Sequence, residues 1–126
     1  MIQIRTMKDL HLLAEARLPE PLIAYARELL AGLQAEAGED DSDDFLLLSP
    51  VFVCEAGDKL LDRFRAVPYG PEYVELVDIS SFRLYRVGIL LDNDWIAQYL
   101  VPVHSQDQVT EAWLREQSGG AVKERE

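Results

Sequence analysis

The stretch FRLYRVGILLDNDWIAQYLVPV, residues 82–103, decides how this chain folds. Two runs rich in β-branched and aromatic residues, Phe82 to Leu91 and Trp95 to Val103, flank the polar Asp92-Asn93-Asp94, the pattern of an antiparallel hairpin. Side-chain faces set its register. With all three polar residues in the loop, Leu91 faces Trp95 and Val87 faces Tyr99. One side of the ribbon then gathers Tyr85, Val87, Ile89, Leu91, Trp95, Ala97, Tyr99 and Val101. A two-residue loop would mix Gln98 and Pro102 into that set. Because a slip of one residue turns every side chain over, the three-residue loop is predicted.

The opposite face carries Leu84, Arg86, Gly88, Leu90, Ile96, Gln98 and Leu100. Apolar residues dominate it, and such a face makes poor contact with water. Either helices of the same chain cover it, or Leu84, Arg86, Gln98 and Leu100 meet a second copy in a homodimer. Internal cover has the edge, because the helices upstream must bury their own stripes somewhere.

Those helices lie in the first 40 residues. Residues 6 to 17 read as a short helix capped by Thr6 with Asp9 three positions on, and Met7, Leu10, Leu13 and Ala14 share a face. Pro19 and Pro21 interrupt and restart the chain. A longer helix follows, with Leu22, Ala26, Leu29, Leu33 and Ala37 in a stripe widened by Ile23 and Leu30, and with Arg27, Glu28, Gln34 and Glu36 away from it. Gly38 can stop it. The pair is expected to form a helical hairpin.

Shorter elements lie between the helices and the hairpin. Phe45 to Cys54 is apolar, and Pro50 predicts a strand broken there or lying at an edge. Residues 58–67 fit either a short helix capped by Asp58, with Leu60, Leu61, Phe64 and Val67 inward, or a return strand. Tyr73 to Ile79 is a strand. After the hairpin, Ser105 and Gln108 form a capping box for a last helix with Val109, Ala112 and Trp113 on one face. The order of elements predicts an α+β fold: an antiparallel sheet of about four strands with the helical hairpin and the last helix packed on it. Residues 1–117 are expected to make one domain, with 118–126 a frayed tail.

Charge narrows the function. The 126 residues hold 23 Asp and Glu against 12 Lys and Arg, a formal net charge of −11. Binding to nucleic acid or to anionic lipid by counterion release needs the reverse balance. The excess is concentrated: residues 38–62 hold eight acids and one lysine, leaving −4 for the remainder. Within them GEDDSDD, residues 38–44, has five carboxylates in seven positions and reads as a solvated connector. It is no EF-hand, since Phe45 stands where the turn needs glycine and Val51 where the bidentate glutamate belongs. One cysteine, Cys54, and no apolar leader segment fit a reducing, cytoplasmic compartment, and no run is long enough to span a membrane.

Catalytic signatures are missing: no P-loop, dinucleotide fingerprint, nucleophile elbow or HExxH occurs, and no metal or cofactor is called for. Cys54, beside Glu55 and Asp58, lacks the positive surroundings of a reactive thiol. Of the two histidines, His11 lies near the apolar stripe of the first helix, and His104 sits at a strand-to-helix junction, where a histidine bonds backbone and water more often than it acts as a base. Arg63 with Arg65 and Arg83 with Arg86 are expected to answer nearby acids such as Asp62, Glu72, Glu75 and Asp78. The composition therefore points to a non-catalytic protein that binds a protein partner with a basic surface, as inhibitors, immunity proteins and antitoxins do. Asp40, Asp41, Asp43 and Asp44 are the contact residues expected for it. The rival reading is a small-molecule-binding domain or small enzyme with a pocket lined by Tyr85, Trp95, Tyr99 and His104.

Overall fold

The computed structural model describes residues 1–36, 50–68, 70–79, 82–91 and 95–118. The hairpin has the predicted register. Strand β4 (Phe82–Leu90) pairs antiparallel with β5 (Ile96–Pro102), Val87 opposite Tyr99, and the Leu91 N–H donates to the Trp95 carbonyl at 2.7 Å. Strand β3 (Tyr73–Ile79) runs antiparallel to β4 on its other side.

The sheet has five strands rather than four, in the order β1-β2-β5-β4-β3. The two additions are three residues each. Strand β2 (Val51–Val53) lies parallel to β5, and β1 (Ile2–Ile4) lies antiparallel to β2. Strands this short show no alternation to read, and both are paired by residues distant in the chain. Pro50 immediately precedes β2, and its carbonyl accepts from Gln98 N at 3.0 Å; residues 45–49 of the expected strand lie outside the described residues. Strand β2 is not an edge strand, since β1 covers its outer side.

The N-terminal segment is a 3-10 turn (Met7–Leu10) running into a single-turn helix α1 (His11–Glu15), then the long helix α2 (Glu20–Glu36). The short first helix expected over residues 6 to 17 is thus a 3-10 turn followed by a single α-helical turn, and the long second helix follows it. Asp9 acts as expected, its carboxylate accepting from the N–H groups of Arg5 and Thr6 at 2.9 and 3.1 Å. Arg17, at φ 60°, closes α1: its own N–H bonds to Ala14 O and that of Leu18 to Leu13 O, the two bonds of a Schellman turn. Leu22, Ile23, Ala26, Leu29 and Leu30 of α2 are buried as predicted, whereas Gln34, expected on the polar side, is buried as well.

Residues 61–65 settle as a helix, α3 (Leu61–Arg65). Asp58 does not cap it. Its carboxylate accepts from Glu55 N at 2.7 Å and pairs with the N-terminal ammonium at 3.1 Å. Helix α4 (Gln108–Gln117) is capped by Asp107, whose Oδ1 accepts from Thr110 N at 2.7 Å, and not by Ser105. Ser105 falls in a 3-10 turn (Val103–Ser105), where its hydroxyl donates to Pro102 O at 2.8 Å. The later start rotates the helix: Thr110 and Leu114 are buried, Trp113 is half-buried, and Val109 and Ala112 face water.

Each face of the sheet has its own core. On one, Leu84, Leu100, Val51, Val53 and Ile4 pack under α1 and α2. On the other, Tyr85, Val87, Ile89, Ala97, Tyr99 and Val101 pack with Phe64 of α3 and Leu114 of α4. These are the two side-chain sets that the hairpin register separates.

Candidate functional site

Among the described residues strand β3 ends the sheet, and the direction of its backbone groups follows from the hairpin. Since Leu91 bonds to Trp95, odd-numbered residues of β4 turn their N–H and C=O toward β5 and even-numbered ones toward β3. The partners of those even residues are Tyr73, Glu75, Val77 and Ile79. The backbone groups of Val74, Leu76 and Asp78 therefore point outward, and among the described residues no strand pairs with them.

The side chains along this edge are exposed and acidic. Glu72, Glu75 and Asp78 face water, and Leu76, opposite Tyr85, is 42% exposed. A groove of about 210 Å³ runs beside Leu76, with Tyr85 and Val103 at its floor and Glu111 and Arg115 of α4 on its wall, paired to each other at 2.6 Å.

Of the residues singled out in the sequence, Asp40, Asp41, Asp43 and Asp44 lie outside the described residues. Leu84 and Leu100 are fully buried beneath the helices of their own chain, so they offer no surface to a second copy. Arg86 and Gln98 are brought together: Arg86 Nε donates to Gln98 Oε1 at 2.9 Å. Tyr85 and Tyr99 are buried in one core, whereas Trp95, 44% exposed, and His104 face water, so the four do not gather around one cavity wall. Arg63 donates to the Tyr99 hydroxyl at 3.2 Å and lies over its ring, in place of the expected acid. Because they stand two apart on a helix, Arg63 and Arg65 point to different sides.

Three residues of consequence escaped the sequence reading. Tyr25 and Tyr73 join Arg86 and Gln98, and Gly88 makes room for them, since a Cβ there would collide with the Tyr73 ring. A lone glycine inside a strand pattern was the available signal.

Cys54 is fully buried. Burial, then the charge of Asp58, pushes its thiol from about 9.0 up to about 12. The folded chain thus keeps the proton that the unfolded chain releases above pH 9, so this contribution to stability is complete below 9 and is lost as pH rises toward 12. The expected slope is roughly 1 kcal/mol for the first pH unit above 9. Urea midpoints of the wild type and Cys54→Ala, compared from pH 8 to 11, check it: the wild type should fall more steeply, and parallel curves would refute the buried thiol.

Among the described residues no three His, Cys, Asp or Glu side chains are set to hold a metal ion, and no helix is long and apolar enough to cross a membrane. Compared with protein-family models, with curated proteins and with solved structures, the chain finds no match.

Proposed function

We propose that this is a non-catalytic interaction protein that takes an extended, basic segment of another protein onto the open edge of β3, in the way of an inhibitor, immunity or antitoxin-like protein. The observation that carries the reading is the row of outward backbone groups at Val74, Leu76 and Asp78, flanked by exposed Leu76 and the carboxylates of Glu72, Glu75 and Asp78. Strand addition takes its affinity from main-chain bonds and its selectivity from alternate side chains. Here an apolar residue opposite Leu76 and Lys or Arg near the carboxylates complement the edge. A net charge of −11 accelerates encounter with such a segment and makes it salt-sensitive.

Peptides selected from a random displayed pool on the full chain test the reading. Enriched peptides should alternate basic and apolar residues, weaken as salt is raised, and lose binding to Leu76→Pro, which removes one outward N–H. Asp40, Asp41, Asp43 and Asp44 changed together to Asn should slow association and leave the footprint on β3 unchanged. Three outcomes overturn it: no enrichment, binding indifferent to salt and to Leu76→Pro, or self-association of the chain through β3 that blocks the edge.

A further inference from the structure

On the α2 side of the sheet, past the end of the apolar core, four polar side chains from four elements meet. Tyr73, Gly88 and Gln98 stand in one row across β3, β4 and β5, and Glu75, Arg86 and Leu100 in the next. With no side chain on Gly88, the Tyr73 ring lies across it and its hydroxyl donates to Gln98 Oε1. Arg86 Nε donates to the same oxygen at 2.9 Å, its guanidinium lies 5.7 Å from the centre of the Tyr73 ring, and its Nη1 reaches the hydroxyl of Tyr25 on α2 at 3.5 Å.

An inventory of the remaining hydrogen-bonding capacity is one-sided. Gln98 is only 6% exposed; its oxygen serves two donors, while its Nε2 has no acceptor among the described residues. Tyr25 accepts from Arg86, which leaves its own O–H to donate. The terminal nitrogens of Arg86 have only the hydroxyls of Tyr25 and Tyr73 for company among the described residues, and Glu75, its exposed cross-strand neighbour, forms no ion pair with it. Arg86 thus touches Gln98 through Nε and Tyr25 through Nη1, which makes the three side chains one contiguous cluster. A buried donor left without an acceptor costs about 1–3 kcal/mol, and a half-buried guanidinium without a carboxylate forgoes the partner whose geometry fits it best.

We propose that this cluster is a binding site for a small monocarboxylate, its two oxygens accepting from the terminal nitrogens of Arg86, from Gln98 Nε2 and from the Tyr25 hydroxyl. One guanidinium is the only cation of the cluster, so it balances a single negative charge; a phosphate dianion in a chain of net −11 would stay undercompensated. The next pair along the same face is Leu90 and Ile96, with Leu90 48% exposed. The site thus continues into an apolar shelf that suits a short aliphatic chain on the acid. It borders the β3 edge through Tyr73 and Glu75 but does not depend on the partner proposed there.

Titration of the isotope-labelled full chain with acetate, butyrate and hexanoate, at constant ionic strength set with chloride, tests the site through the side-chain N–H signals of Gln98 and Arg86. Saturable shifts at both are expected, with hexanoate at least about tenfold tighter than acetate, since each buried methylene is worth about 0.8 kcal/mol. Arg86→Gln should abolish the response. Tyr25→Phe, which removes one hydroxyl from a half-buried position and leaves the fold in place, should weaken it about three- to tenfold. Shifts that stay linear in concentration, or that saturate equally in Tyr25→Phe and in folded Arg86→Gln, overturn the site. Equal affinity for all three acids overturns its apolar shelf.

Discussion

Truncation of Phe64 to alanine is expected to destabilise the protein by about 3–5 kcal/mol, the range for deleting a fully buried aromatic ring. Helix α3 is five residues long, far below the length at which a helix is stable by itself, so docking must hold it in place. Phe64 is the one α3 side chain with no exposure. Its ring meets Tyr99 edge-on, centroids 5.4 Å apart at 85°, and stacks on Trp113 at 6.0 Å and 13°, while Tyr99 stacks in turn on Phe52 at 4.8 Å. The ring thus joins α3 to β5 and α4, and the void left by alanine would be lined by rigid aromatics that cannot collapse into it. Urea unfolding of the wild type and Phe64→Ala reads the cost from the midpoint at unchanged slope. A loss below about 1 kcal/mol would mean that α3 does not anchor through this residue.

The second large effect separates two adjacent residues of β3. Val77 turns its N–H toward Leu84 on β4, whereas Leu76 turns its own to the open side. Val77→Pro removes a ladder bond and strands a buried acceptor on β4, a loss on the order of 3 kcal/mol. Leu76→Pro leaves the ladder intact, so its cost is about 1 kcal/mol or less, as suits proline on an edge strand. Denaturation of both variants under one set of conditions checks the contrast. Equal costs would mean that the alternation of inward and outward groups along β3 is displaced by one residue, and the proposed partner edge would then be misassigned as well.

Much of this architecture is legible in residue order. The division of the hairpin into a Tyr85–Val101 face and a Leu84–Leu100 face follows from alternation alone, and both cores form on those two sets. The stripe of α2 is legible for the same reason, since Leu22, Ala26 and Leu29 recur at helical spacing. Ser105 shows where local signals stop. Ser105-Gln108 and Asp107-Thr110 are both plausible starts, and the chain takes the second because the Val103–Ser105 turn first carries it off the sheet. The choice turns Val109 outward and brings Leu114 in. Gln34 likewise has a polar side chain and a polar-face position, yet it is buried where α2 meets the 3-10 turn and α1.

The candidate sites divide along the same line. Arg86 and Gln98 were visible as interruptions of an apolar face, but Tyr25 and Tyr73 come from 61 and 13 residues away in the chain, so no spacing rule joins them. By itself the amino-acid order determined the α+β class, the hairpin register and the acidic balance, because alternation, helical period and charge are properties of neighbours in the chain. Tertiary structure alone decided that β1 and β2 extend the sheet beyond β5, that β3 is the edge among the described residues, and that Leu84 is buried while Leu90 is half-exposed. Those outcomes depend on which distant segments exclude water from one another, a contest among pairings whose energies are set by contact between elements and not by the sequence of any one of them.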